Sequence, residues 1–175
     1  GDNFVMWHWV GMHCLDLRVM RLDSKTLVSV VQATLREWGV EESNFTYDMQ
    51  GIGQYFKGFF PDAVPFNNQA APIATERKEQ DGIKYLYKDL KSQCAWLFYR
   101  YIKERKISIA DELLERKYSG HGFEKVSLRQ ILQKERKCIR RDEESSDRGF
   151  KLLPKKIAKK YVGHSPDFFE SWFYI

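Results

Sequence analysis

Hydrophobic and polar residues alternate near the start of the chain and predict a β-hairpin. Asn3 to Val10 mixes aromatic with β-branched residues, Gly11 and Met12 offer a tight turn, and the alternation resumes from His13 to Met20. This pattern is typical of two strands joined by a short turn. Because the chain opens directly on strand residues, we also expect a partner strand to lie upstream.

The pattern then changes to a helical period. Apolar residues recur at helical spacing after Ser24, the expected N-cap, and stop at Gly39, which favours a helix end. Short strands are predicted at Asn44 to Tyr47 and at Ala63 to Phe66, with a further helix between them. The succession of the second hairpin strand, the helix after Ser24 and the strand at Asn44 to Tyr47 predicts parallel pairing through a right-handed crossover.

The second half of the chain is mainly helical in pattern. Its longest apolar stripe predicts a helix from Asp81 to Lys103, after a polar loop. The other expected segments are the loop Asn67 to Gln80, a brief extended piece at Ile107 to Ile109, helices at Asp111 to Arg116 and Leu128 to Lys137, and a mixed-charge loop at Arg140 to Arg148. Together these elements predict one α/β domain over residues 1–175.

The charge balance is basic, with 29 Lys and Arg against 24 Asp and Glu, a net charge of +5 and a pI near 9.0. The excess is concentrated in Lys134 to Arg141 and Lys151 to Lys160, which suits a polyanionic partner such as nucleic acid. The cysteines, Cys14, Cys94 and Cys138, lie far apart, so neither a zinc site nor a disulfide framework is expected. No apolar run approaches the roughly 20 residues of a membrane span, so we expect a soluble protein without membrane contact.

Two acidic residues, Asp48 and Asp167, lie at the ends of predicted elements, where side chains often line an active site. Asp48 ends a predicted strand just before a Gly-x-Gly turn, and Asp167 follows Ser165 and Pro166, which could cap and open a helix. Carboxylates that converge from separate elements form the oxygen sites that Mg²⁺ or Mn²⁺ needs for phosphodiester hydrolysis. An Asp in a turn or in the first turn of a helix is also a common structural residue, and the spacing alone does not decide between these roles.

Several segments resemble the nuclease domain of phage terminase large subunits, in order and in spacing. They are YDMQGIGQYF, then Phe59 to Pro61 and Ala63 to Phe66, then YKDLKSQCAW, and finally KKIAKKYVGHSPDFFESWFYI. The family has a Tyr-Asp with Gly-x-Gly after a core strand, a K-x-L-K-x-Q segment that opens a long helix, and a final Ser-Pro-Asp helix. The resemblance covers most of the chain.

The resemblance implies a ribonuclease H-like fold, with a mixed central sheet flanked by helices, and a site for two Mg²⁺ or Mn²⁺ ions about 4 Å apart. Asp48 and Asp167 would be catalytic and would bind the metal ions, with Glu170 as an auxiliary metal ligand. Asp2 matches an acidic loop position that follows the first strand in the family. The first strand and its Asp would therefore lie upstream of this sequence.

The implied activity is an endonuclease that cuts concatemeric double-stranded DNA during viral DNA packaging, in the cytoplasm of a bacterial host and encoded by a phage or prophage. The implied partners are an ATPase domain, a portal protein and a small terminase subunit. The ATPase phosphate-binding motif G-x-x-x-x-G-K-[ST] does not occur in this sequence.

Four lysines before the Ser-Pro-Asp motif are candidates for DNA binding, namely Lys155, Lys156, Lys159 and Lys160. They could neutralise phosphates or could simply form a solvated helix face. The tryptophans fit a core better than a stacking surface, and His121 and His164 are isolated. Two alternatives stay open: another ribonuclease H-like nuclease of the resolvase or transposase type, and a non-catalytic DNA-binding or assembly module.

Overall fold

A three-stranded mixed sheet lies between two groups of helices in the computed structural model, which describes residues 2–51, 53–73, 87–143 and 149–172. Strands β1 (Phe4–Val10) and β2 (His13–Met20) pair antiparallel, and Gly11 makes the turn with a φ of 57°. This confirms the predicted hairpin. Strand β5 (Ser108–Ile109) adds to β2 in parallel, so the sheet is mixed as expected.

Helix α1 (Ser24–Trp38) confirms the helical period, although its N-cap differs from the prediction. Asp23 caps the helix, because its carboxylate accepts hydrogen bonds from the backbone N–H groups of Lys25 and Thr26. Ser24 is instead the first helical residue. Gly39 ends the helix in the left-handed region with a φ of 64°, as predicted.

Parallel pairing across a helix occurs, but between β3 (Thr46–Asp48) and β4 (Val64–Phe66) and not between β2 and β3. Strand β3, helix α2 (Gly53–Phe56) and strand β4 follow one another, and β3 pairs with β4 in parallel. The succession from β2 through α1 does not place β3 beside β2, so the prediction is wrong there. Residues of β1 and β3 line one cleft instead of sharing a ladder among the described strands.

The remaining elements complete the layers around the sheet. They are α3 (Leu90–Lys103), α4 (Asp111–Glu115), β6 (Lys117–Gly120), β7 (Phe123–Ser127), α5 (Leu128–Glu135), α6 (Lys155–Val162) and α7 (Asp167–Ser171), with short 3-10 turns at Glu42–Asn44 and Arg136–Cys138. Strands β6 and β7 form an antiparallel hairpin that the sequence pattern did not predict.

The long helix begins later than predicted. Asp89 is its N-cap and accepts a hydrogen bond from the backbone N–H of Ser92 at 2.8 Å, so the helix starts at Leu90. The predicted start at Asp81, together with residues 82–86, lies outside the described residues, as do residues 74–80 and 144–148 of the two predicted loops. Helix α5 ends at Glu135, and the residues predicted to extend it form a 3-10 turn.

Alternate residues of β1 supply two hydrophobic cores, one on each face of the sheet. Met6 packs in a core with α1, Phe45, Tyr47 and Phe56. Val5 packs in the other core, which contains residues of α3, α5 and α7 together with Trp172. Because successive side chains of a strand point to opposite faces, this alternation places helices on both sides of the sheet. The α/β architecture with flanking helices is therefore confirmed.

Candidate functional site

A cleft of about 1070 Å³ runs along β1, and the predicted carboxylates are among the residues that line it. Asp48 at the end of β3, Asp167 and Glu170 of α7, and Asp2 before β1 all line it. Lys155 of α6 lines it too. Three separate parts of the chain therefore contribute carboxylates to the lining of this cleft.

Asp48 is held by the turn that follows it. Its Oδ1 accepts a hydrogen bond from the backbone N–H of Gln50 at 2.9 Å, and its Oδ2 accepts one from Asn68 Nδ2 at 2.8 Å. Gly51 adopts a φ of 57°, and a Cβ at Gly53 would lie only 1.6 Å from the Asp48 carbonyl oxygen. The Gly-x-Gly sequence is thus required for the backbone to turn closely beneath this aspartate.

Asp167 is buried, and its carboxylate accepts four hydrogen bonds from described groups. Oδ2 receives the backbone N–H of Asn3 at 2.7 Å and Asn3 Nδ2 at 3.1 Å. Oδ1 receives Ser165 Oγ at 2.5 Å and Lys155 Nζ at 3.2 Å. Ser165 was predicted to cap α7, which is wrong, because Pro166 is the residue before the helix and the Ser165 hydroxyl binds Asp167 instead.

Among the described residues, Lys155 joins three of the four acidic residues of the cleft, Asp2, Asp167 and Glu170. Its Nζ lies 2.9 Å from Asp2 Oδ2, 3.2 Å from Asp167 Oδ1 and 3.1 Å from Glu170 Oε2. Burial alone would raise the pKa of Asp2, but hydrogen bonds from Lys159 and Lys155 outweigh it and hold this pKa well below its usual range. Burial would lower the pKa of Lys155, but Glu170, Asp2 and Asp167 raise it. The cluster is a network of ion pairs.

The four candidate DNA-binding lysines divide between two faces of α6. Lys155 and Lys159 are one helical turn apart and both bind Asp2, the latter at 2.9 Å. Lys156 and Lys160 are exposed and form no ion pair within the described part of the chain. Only the second pair therefore presents uncompensated charge to the solvent.

Glu170 is also paired on both sides. Its Oε1 accepts a hydrogen bond from Lys91 Nζ at 2.7 Å, at the start of α3, and its Oε2 lies near Lys155. The segment YKDLKSQCAW that supports the family resemblance thus sends one of its lysines to the predicted auxiliary ligand.

Sequence reasoning missed two buried polar residues beside the site. Asn3 donates both of its N–H groups to Asp167, and Glu135 is fully buried at the end of α5. Glu135 Oε2 accepts the backbone N–H of Phe169 at 2.8 Å, and its Oε1 lies 3.4 Å from His164 Nδ1. A signal was present for Glu135, because it follows Leu128, Ile131 and Leu132 on the buried face of the helix.

The environment of Glu135 makes its ionisation unfavourable. Burial raises its pKa well above the usual value, and the neighbouring Asp167 and Glu170 raise it further, although the N–H of Phe169 acts in the opposite direction. His164 lies beside this group rather than in the cleft, and its Nδ1 is 2.8 Å from the carbonyl oxygen of Ser165. His121 contributes its backbone N–H to Asn3 Oδ1 at 3.2 Å.

The donor set of the cleft fits a hard divalent cation, because carboxylate oxygens are the ligands that Mg²⁺, Mn²⁺ and Ca²⁺ favour. Within residues 2–51, 53–73, 87–143 and 149–172, no three His, Cys, Asp or Glu side chains are grouped closely enough to hold a metal ion. Lysine ammonium groups bind the oxygens of Asp2, Asp167 and Glu170. Cation binding would therefore require these ion pairs to rearrange.

The chain has the fold of the nuclease domain of a phage large terminase subunit. Three solved structures of the large terminase subunit gp2 of bacterial virus Sf6 superpose on it with a TM-score of 0.66 and 14% sequence identity, over 93% of this chain. All three are lysine-to-alanine mutants of gp2. Two are structures of the nuclease domain with manganese, and one of these also contains beta-thujaplicinol. The other is a structure of gp2c with calcium. The match covers 78%, 77% and 76% of those chains.

No protein-family profile and no curated protein sequence matches the chain. The likeness is therefore one of fold. Among the described helices, none has the length and apolar character needed to cross a membrane.

Proposed function

We propose that this chain is a metal-dependent endonuclease domain of a viral DNA-packaging terminase, which cuts concatemeric double-stranded DNA. The observation that carries the proposal is that Asp48, Asp167 and Glu170 all line one cleft, in a fold whose solved relatives hold manganese or calcium. The wider expectations rest on the same likeness: an ATPase domain, a portal protein and a small terminase subunit as partners, and the cytoplasm of a bacterial host as the location.

Asp48, Asp167 and Glu170 would hold Mg²⁺ or Mn²⁺ through their carboxylate oxygens. Two such ions, when bound, supply a water nucleophile and stabilise charge on the attacked phosphodiester. Asp48 contributes from the end of a strand, where Asn68 and the N–H of Gln50 fix its side chain. Asp167 contributes from a buried position, where Asn3 and Ser165 fix its side chain. Both carboxylates are thus restrained before any ligand arrives.

The proposed DNA contacts lie on α6. Lys156 and Lys160 are exposed, so they can meet phosphates without breaking an ion pair. Lys155 and Lys159 bind Asp2 and would reach DNA only after leaving it. Contacts of this kind depend on charge and not on base sequence, so we expect weak sequence preference and strong salt dependence.

The cleft itself supports the expectation of a further strand in the sheet. Every residue from Asp2 to Gly11 lines it, and so does every residue from Asn44 to Asp48. Within the described residues, β1 pairs only with β2 and β3 pairs only with β4, so each has an edge available for pairing. We propose that an extended segment fills this space by pairing with these edges.

The test is cleavage of linear double-stranded DNA with Mg²⁺ or Mn²⁺ by the full-length polypeptide. Asp48→Asn and Asp167→Asn should each reduce the rate by at least about a hundredfold, since each removes a proposed metal ligand. Asp111→Asn is the matched control, because the side chain of Asp111 is 94% exposed in α4. Equal cleavage by the unsubstituted protein and all three variants would contradict the site assignment.

A non-catalytic DNA-binding module remains the second candidate, and one observation favours it. The carboxylates of Asp2, Asp167 and Glu170 are already paired with lysines, as in a purely structural network. In that case Asp48→Asn and Asp167→Asn would leave DNA binding unchanged and no variant would cleave. A resolvase or transposase type of nuclease would lose cleavage in the same variants but would prefer branched DNA to linear DNA.

A further inference from the structure

Asn3 is the described residue that makes most hydrogen bonds to the carboxylate of Asp167. Its backbone N–H and its side-chain Nδ2 both donate to Oδ2, at 2.7 and 3.1 Å. The Asn3 side chain is buried, so water cannot replace these donors readily. Two donors on one oxygen restrict the rotation of the carboxylate much more than a single donor would.

The third polar group of Asn3 is also engaged, and this fixes the orientation of its amide. Asn3 Oδ1 accepts the backbone N–H of His121, at the tip of the β6–β7 hairpin. With the carbonyl oxygen committed to His121, the NH₂ group must face Asp167. The amide therefore cannot flip to present its oxygen to the carboxylate.

The hairpin reaches Asn3 because glycine occupies both positions around its tip. A Cβ at Gly120 would lie 2.8 Å from Asn3 Oδ1, and one at Gly122 would lie 2.9 Å from the Cβ of His164. Gly122 also has a φ of 89°, which favours glycine. The hairpin that the sequence pattern did not predict thus supports the residue that holds Asp167.

We propose that Asn3 is a positioning residue for the metal site, an inference that rests on the proposed function. By holding Oδ2, Asn3 directs Oδ1 of Asp167 toward Lys155 Nζ and Ser165 Oγ, which both donate to it. Oδ1 is the oxygen that would bind a cation if Lys155 withdrew from it. Partners of this kind that lie behind a ligand fix its orientation, and their loss lowers metal affinity by roughly 10–100-fold.

The experiment titrates Mn²⁺ alone into the 175-residue chain and follows the free ion by electron paramagnetic resonance. Asn3→Leu removes both side-chain hydrogen bonds at similar volume and should weaken Mn²⁺ binding by roughly 10–100-fold. Asn44→Leu is the matched control, because Asn44 lines the same cleft at an exposed position and makes none of the hydrogen bonds described for Asp167. This control should bind Mn²⁺ as the unsubstituted chain does.

Two further variants separate positioning from stability. Leu27→Ala removes a buried side chain from the core beside α1 and should lower the thermal midpoint without changing Mn²⁺ affinity. Asn3→Ser keeps the backbone donor and a polar side chain but is too short to reach Asp167, so it decides the matter if Asn3→Leu does not fold. An affinity for Mn²⁺ that is unchanged in folded Asn3 variants would overturn the proposal.

Asp167→Asn shows whether the proposed function or the role of Asn3 has failed. If the unsubstituted chain and Asp167→Asn bind Mn²⁺ equally, Asp167 is no ligand and both proposals fall. If Asp167→Asn binds more weakly while Asn3→Leu and Asn3→Ser bind normally, the metal site stands and only the role of Asn3 is refuted.

Discussion

Replacement of Lys155 by methionine tests whether the acidic cluster of the cleft is held together by one lysine. Methionine keeps the aliphatic stem but removes the ammonium group that binds Asp2, Asp167 and Glu170. Breaking a buried ion pair by removing one partner costs about 3–5 kcal/mol. Because the Lys155 side chain is 36% exposed, solvent screening reduces this to about 1–2 kcal/mol.

For a domain of this size, a loss of about 1–2 kcal/mol lowers the thermal midpoint by roughly 2–8 °C. Differential scanning calorimetry of the metal-free protein measures this shift. Lys156→Met is the matched control, because Lys156 is the next residue of α6 and is exposed. We expect no shift beyond about 1 °C for this control, as is usual for surface substitutions.

Addition of Mn²⁺ provides the second readout. If the cation and the Lys155 ammonium compete for the same oxygens, Lys155→Met should bind Mn²⁺ at least about tenfold more tightly, which corresponds to about 1.4 kcal/mol. The metal-induced rise in thermal midpoint should then be larger for Lys155→Met than for the unsubstituted chain. Equal midpoints and equal Mn²⁺ effects in all three proteins would refute the reasoning.

Three further predictions concern parts that support the site. The pKa of Glu135 is higher in the folded than in the unfolded protein, so its contribution to the free energy of unfolding should fall as pH rises from about 4.5 toward the folded pKa, with a limiting slope of about 1.4 kcal/mol per pH unit. Urea titrations at several pH values measure this dependence, and Glu135→Gln should make it flatter. Parallel pH profiles for the variant and the unsubstituted chain would contradict the prediction. Gly53→Ala should cost about 3 kcal/mol or more, because its Cβ would overlap the Asp48 carbonyl, whereas Gly58→Ala, with nothing within 4 Å, should unfold at nearly the same urea concentration as the unsubstituted chain. Phe56→Ala should cost about 3–5 kcal/mol in the same assay, since Phe56 is fully buried, and a smaller loss would show that the core closes over the gap.

Local patterns predicted the parts of the fold that depend on local chemistry. The β1–β2 hairpin and α1 follow from alternation, a turn glycine and the stop at Gly39. The cap of α1 was misassigned between two adjacent cap-forming residues, Asp23 and Ser24, which composition cannot separate. Pairing between strands was harder, because β3 joins β4 by contacts that no local period encodes.

The candidate site shows the same division. Asp48 and Asp167 were identifiable from their places after a strand and before a helix, and both line the cleft. Their partners were not, because Asn3 meets Asp167 across the whole chain and its sequence neighbours give no sign of it. Glu135 lies at helical spacing from Leu128 and Ile131, so the sequence could have predicted that its carboxyl group is buried. The sequence could not have predicted which residues contact this carboxyl group.

The bond between Asn3 and Asp167 joins residues 164 positions apart. During translation β1 is synthesised well before α7, so the hydrogen bonds between Asn3 and Asp167 form only after α7 has been made. Asp48 is likewise synthesised well before Asp167 and Glu170, the other two proposed ligands. If the chain cleaves DNA as proposed, cleavage would begin only after α7 has docked against β1.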